Sequence, residues 1–170
     1  MHKRIKSLFF DASPITQKQL KRSQLFFILE AALGAPLLNI IGGVYLASLC
    51  KYLGASESMA GIIISFTTIM GFLQLISPIV AEKYKRRKLM VFSAVVVSRV
   101  LLVSIFLIPF LISNHTVGLF VVALCFAIAY AAHHFLMPMF SIWITDVVPP
   151  DIRGKYFGTK DSISSFSVAV

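Results

Sequence analysis

Residues 24–49 read QLFFILEAALGAPLLNIIGGVYLASL, an apolar run that after its leading Gln24 is interrupted by one acid, Glu30, and one amide, Asn39. The hydrocarbon core of a bilayer is about 30 Å thick and takes about 20 helical residues to cross. This run is long enough to cross with tilt. It is too long, and too interrupted by Glu30, for the core of a cleavable signal peptide. Outward from it, residues 58–81, 89–112 and 117–144 repeat the pattern, each run about the length of a bilayer crossing. A further apolar run begins at 161–170 (DSISSFSVAV). The composition agrees: 58% of residues are apolar and 14% charged, and the mean hydropathy is +0.86. Soluble domains average about 45–50% and about 25%. The fold class expected is an all-α membrane protein. It has four transmembrane helices at about 24–49, 58–81, 89–112 and 117–144, a cytoplasmic loop at 145–160 and a partial fifth helix at 161–170.

The net charge of +9 does not indicate nucleic acid, because the bases sit in short segments between apolar runs. No basic stripe with interleaved aromatics and no zinc-finger spacing accompanies them. Residues 1–23, a basic N-terminal segment, hold Lys3, Arg4, Lys6, Lys18, Lys21 and Arg22. With Phe9 and Phe10, the segment suits an interfacial stretch on anionic lipid as well as a solvated basic tail. The loop after the second run adds Lys83, Lys85, Arg86, Arg87 and Lys88, and the loop after the fourth adds Arg153, Lys155 and Lys160. All of these fall on one side, against Lys51 alone on the other. The bias puts the N-terminus in the cytoplasm of a multi-pass plasma-membrane protein.

Two loops carry more than orientation charge. After the second run comes SPIVAEKYKRRKLM, and after the fourth comes TDVVPPDIRGKYFG (Thr145–Gly158). Together they resemble the major facilitator superfamily of secondary transporters. Its members carry a G-x-x-x-D-R-x-G-R-R-like loop between spans two and three, and many carry D-x-x-P-x-x-x-R-G after span four. In the first motif Glu82 stands for the aspartate, Lys83 for the first base, and Arg86 and Arg87 for the closing pair. Pro78 and Lys85 occupy the two glycine positions. In the second, Asp146, Pro149, Arg153 and Gly154 fall in register. The resemblance implies the N-terminal part of a major-facilitator-type helical bundle, covering four of the usual twelve spans. It implies alternating access to a small-molecule substrate of unknown identity, proton-coupled or exporting drugs or metabolites. The expected partners are membrane lipid and the missing C-terminal part of the transporter. A self-contained four-span subunit or adaptor that transports nothing is the competing reading.

Physical chemistry gives the two loops a role of their own. Pro149 and Pro150 end the fourth helix, because proline cannot continue the hydrogen-bond ladder. Gly154 is expected to supply a backbone conformation closed to other residues. Asp146 lies at a helix C-terminus, where an anion is disfavoured without a cation near it. Arg86, one turn after Glu82, is expected to bridge Glu82 and Asp146 as a cytoplasmic latch.

Inside the spans, Glu30, Asn39, Gln74, Arg99, His133 and His134 interrupt the apolar pattern. A charge at mid-bilayer costs about 2.5–3.5 kcal/mol on insertion scales, so such residues face protein or a water-filled path. Glu30, the only acid within any span, is a candidate proton carrier. A Glu30–Arg99 pair is geometrically possible. The resemblance implies that helices one and four line the central cavity while helix three is more peripheral. Glu30, Asn39 and one of His133 and His134 are therefore expected there ahead of Arg99. Adjacent residues point about 100° apart on a helix, so one histidine at most faces the path. Gly34, Gly43, Gly61, Ser65 and Gly71 offer small surfaces for helix contact, and Pro36, Gly42, Gly43 and Pro138 offer bends. Cys50 and Cys125 stand apart and imply neither a metal site nor a disulfide. No Walker loop, nucleophile elbow or dinucleotide fingerprint occurs, so neither enzymatic chemistry nor a cofactor is expected.

Overall fold

A computed structural model describes residues 17–83 and 87–169. Its elements are α1 (Gln17–Ile40), a π-helical turn (Ile41–Tyr45), α2 (Leu46–Tyr52), α3 (Glu57–Met70), α4 (Leu73–Lys83), α5 (Arg87–Leu111), α6 (His115–Val147) and α7 (Arg153–Ala169). No strand occurs among the described residues. Among the described residues, four stretches are long and apolar enough to cross a membrane: Leu20–Tyr52, Glu57–Val80, Leu89–Leu111 and His115–Thr145. The all-α fold expected from the apolar runs is the fold observed.

Local chemistry explains where these helices stop and bend. α2 closes on Gly54, whose φ of 83° lies in the left-handed region. Gly54 N–H donates to Lys51 O and Ala55 N–H to Cys50 O, at 3.0 and 2.9 Å. That pair of bonds satisfies carbonyls a helix end leaves open, and glycine takes the conformation without a Cβ penalty. The Ser56 hydroxyl then caps α3 by accepting from Met59 N–H. Asn114 caps α6 by accepting from the N–H groups of Thr116 and Val117. Both short connections on that side therefore carry N-cap residues.

The first span bends at Ile41–Tyr45, where Gly43 leaves helical geometry (φ −105°, ψ −129°). A π-helical turn of this kind inside an α-helix is a recognised cause of a bend. The second span breaks at Gly71 and Phe72, before Pro78 in α4. The fourth runs through Pro138 without interruption and stops at Val147, just before Pro149 and Pro150.

Arg153 completes that stop. Its guanidinium donates to the carbonyls of Thr145 (2.8 Å) and Val148 (3.2 Å), at the C-terminus of α6. Gly154 does not meet its expectation. It sits in the first turn of α7 without a positive φ, and a Cβ there would touch nothing. α7 starts upstream of the apolar run at 161, because residues 153–160 continue the same helix.

α6 is the central element. It packs along α5 and against α3 and α4, while α7 lies along α1. Tyr156 O–H donates to Gln24 O at 2.8 Å and ties the start of α7 to α1. Two apolar cores form along this frame. One gathers Ile41, Leu46, Leu102, Ile105, Val122 and Phe126 with their neighbours. The other gathers Phe27, Val91, Leu136, Met139, Phe140 and Ile144. Phe27 meets Phe140 and Trp143 edge-on in the second, with centroids 5.3 and 5.0 Å apart.

Candidate functional site

Each helix that joins the two cores passes through a polar stretch between them. On α1, Glu30 and Gly34 fall between Phe27 and Ile41; on α5, Ser98 and Arg99 fall between Val91 and Leu102. On α6, His133 and His134 fall between Tyr130 and Leu136. Gln74 and Ser77 of α4 follow the break in the second span. The result is a polar belt part-way through the spans, with apolar packing above and below it.

The strongest contact in the belt joins α1 to α5. Arg99 Nη2 donates to Glu30 Oε1 at 2.7 Å, with 22% of the arginine side chain and 32% of the glutamate exposed. Pairing offsets part of the cost of placing each charge inside the membrane. The approach depends on Gly34. A Cβ there would run into Arg99 Nη2 and stand 3.0 Å from Glu30 Oε1.

α4 and α6 meet where Gln74 Nε2 contacts His134 Nδ1 at 2.7 Å. His133 and Tyr130 lie within electrostatic reach of the Arg99 guanidinium. Tyr130 turns its hydroxyl to α1 and donates to Leu38 O at 3.0 Å, in the turn that precedes the bend. Gly42 leaves room for it, since a Cβ there would collide with the phenol oxygen. Two belt nitrogens are buried without a hydrogen-bond partner among the described residues, Arg99 Nη1 and His134 Nε2.

The structure thus brings together Glu30, Arg99, His133 and His134, and it gives Arg99 a more central place than the helix-three argument allowed. Asn39 is not among them. Its side chain is exposed, and its amide donates to Ala35 O of its own helix at 2.9 Å. Of the small residues expected at helix contacts, Gly34 makes one, whereas a Cβ at Gly43 or Gly61 would meet nothing. Gly71 serves the break in the second span, and Ser65 is exposed and bonds its own helix. Tyr130 was missed, and Gly42 was expected only as a bend. The spacing of Tyr130, three and four residues before the histidines, was the available signal for the first. The latch expected from Glu82, Arg86 and Asp146 lies outside the described residues, as do Arg86 itself and the side chains of Glu82, Arg87 and Asp146.

A groove of about 400 Å³ opens between α4, α5 and α6, lined by Leu73, Met90, Ala94, Val97 and Phe135 among others. Its one hydroxyl, on Ser93, is already bonded to Met90 O, so the groove offers little polar recognition. No group of three or more possible metal ligands occurs among the described residues.

A family model described as Major Facilitator Superfamily matches residues 10–170. Comparison with curated proteins and with solved structures finds no match.

Proposed function

The chain belongs to the major facilitator superfamily. On that premise we propose that it works as part of a secondary transporter, carrying a small solute across the cell membrane by alternating access with its N-terminus in the cytoplasm. The family is one of transporters, and the one-sided distribution of bases supports the orientation. The observation that carries the reading is the Glu30–Arg99 ion pair, which links two spans at membrane depth.

Such a pair can exist in two arrangements. Ionised, Glu30 holds α1 to α5 through Arg99. Protonated, it no longer neutralises the guanidinium, and the two helices are free to part. The bend at Ile41–Tyr45 gives the far half of the first span a place to pivot. Glu30 is paired with Arg99 of α5, His133 and Tyr130 of α6 lie within electrostatic reach of that arginine, and α7 lies along α1. Glu30 is thus the proposed coupling residue, and Arg99 its partner. At the cytoplasmic surface, Glu82, Arg86 and Asp146 are the proposed latch, and Arg153 caps α6.

The test is solute-driven proton movement, read with a pH-sensitive dye trapped in proteoliposomes of the full-length transporter. Glu30→Gln should abolish the coupled proton flux while the protein still inserts. Full coupled flux in that variant would end the proposal. For the latch, Asp146→Asn and Arg86→Gln should each slow transport, with the double variant little worse than the slower single. Additive losses would reduce the loop to an orientation signal.

A further inference from the structure

The Arg99 guanidinium is only half used. Nη2 holds Glu30 Oε1, while Nη1 is buried and has no acceptor among the described residues. A guanidinium is a fork whose paired N–H groups match the two oxygens of a carboxylate, and it stays charged under all ordinary conditions. A buried donor without a partner costs about 1–3 kcal/mol, more when it is charged. The guanidinium's unfilled capacity is therefore for an acceptor.

The charge count in the belt points the same way. Glu30 is the only acid in the belt among the described residues, and it is already committed to Arg99. The other belt side chains are two histidines, a glutamine, a tyrosine and two serines, none of which adds negative charge. A cationic solute would find its one counter-charge engaged and would face a guanidinium. An anionic solute that opened the belt would meet an unused donor on that guanidinium. It could also take Arg99 from Glu30 outright, because the two anions want the same fork.

We propose that the solute is an anion of the carboxylate class, bound through Arg99 Nη1 in competition with Glu30. The claim deepens the transport reading and rests on it, because it takes the Glu30–Arg99 pair as part of the solute's path. Two consequences separate it from a static ion pair. The protein with Glu30 present should already prefer a carboxylate to a neutral isostere. Removing the Glu30 charge should strengthen that preference, since the competing anion is gone.

The experiment measures binding rather than transport. The purified chain is titrated in detergent with acetate, butyrate and benzoate, each against its primary amide, at constant ionic strength with chloride as the filler anion. Binding is read as a rise in unfolding temperature, followed through Trp143, the only tryptophan. A ligand that binds only the folded state stabilises it in proportion to RT ln(1 + [L]/Kd). The expected result is stabilisation by at least one carboxylate and not by its amide. Glu30→Gln should tighten that binding by roughly tenfold or more, equivalent to about 1.4 kcal/mol. Arg99→Gln should abolish it. Arg99→Lys, which keeps the charge but loses the fork, should weaken it by a similar factor and serves where the glutamine variant does not fold.

Carboxylates that stabilise no better than their amides would overturn the inference, as would a preference unchanged in both Arg99 variants. A carboxylate that binds through Arg99 but is not carried across proteoliposomes would sustain the anion site and remove the transport reading. The two claims therefore fail separately.

Discussion

Gly42→Ala places a methyl group where the structure puts the hydroxyl of Tyr130. Tyr130 is buried, with 7% of its surface exposed, and its ring packs on Phe126 with centroids 4.5 Å apart. The ring cannot simply swing away. The added methyl should therefore break the Tyr130 to Leu38 hydrogen bond, worth about 0.5–1.5 kcal/mol. It should also overpack the site by about 1–3 kcal/mol. Alanine's better helix propensity works the other way by at most about 1 kcal/mol. The single change should therefore cost about 1–3 kcal/mol, and Tyr130→Phe alone about 1 kcal/mol, for the hydrogen bond. Together they should cost less than the sum. With the hydroxyl gone, the next obstacle to the methyl is Tyr130 Cζ at 3.3 Å, a tight contact that a small shift relieves. The expected coupling is about 1–2 kcal/mol in favour of the double variant. Reversible unfolding in mixed micelles, followed by Trp143 fluorescence, measures all four corners of the cycle. Additive losses would refute the claim that Gly42 exists to seat Tyr130 at the bend.

Three further outcomes are expected. Gly34→Val should displace the Arg99 guanidinium and lower stability by about 1–3 kcal/mol, and the penalty should largely vanish in an Arg99→Ala background; an equal penalty in both would show that Gly34 does not serve the ion pair. With Cys50 and Cys125 replaced, an impermeant maleimide applied to intact cells should label a cysteine at Ser56 or Asn114 and miss one at Lys155; the reverse pattern would invert the topology. Burial pushes the Tyr156 phenol up to about 12, against about 10 in an unfolded chain. Its contribution to stability is intact below pH 10 and is lost as pH rises through 12, because the unfolded chain gives up that proton first. Tyr156→Phe should flatten part of the decline in unfolding free energy over that window, and an unchanged slope would place the phenol in solvent.

The spans were legible because lipid imposes the simplest rule a sequence can carry: an apolar run of sufficient length. Pro149 and Pro150 announced the end of α6 for an equally local reason. Gly154 misled, because a glycine beside an arginine reads as a turn, while here the turn residues precede it and α7 begins at Arg153. The belt was half legible. Glu30, Arg99 and the histidines stood out against an apolar background, but their partners depend on helix rotation and packing, which no single span encodes. Asn39 had the same appearance as Glu30 and faces outward, bonding its own helix. Tyr130 stayed hidden, and Gly42 read only as a bend, because each has an ordinary explanation alone and their joint role lies in the contact between them.

The most direct test of the account is a double-mutant cycle on Glu30→Gln and Arg99→Gln, read as unfolding free energy in mixed micelles. Breaking a fully buried pair by removing one partner costs about 3–5 kcal/mol. With 32% and 22% of these side chains exposed, a coupling of about 1–3 kcal/mol is expected after screening. Each single change should destabilise the chain, and the double should be close to the milder single, because neither charge is then left alone in the belt. Additive losses, or singles that cost nothing, would contradict the ion pair on which both the transport reading and the anion site depend.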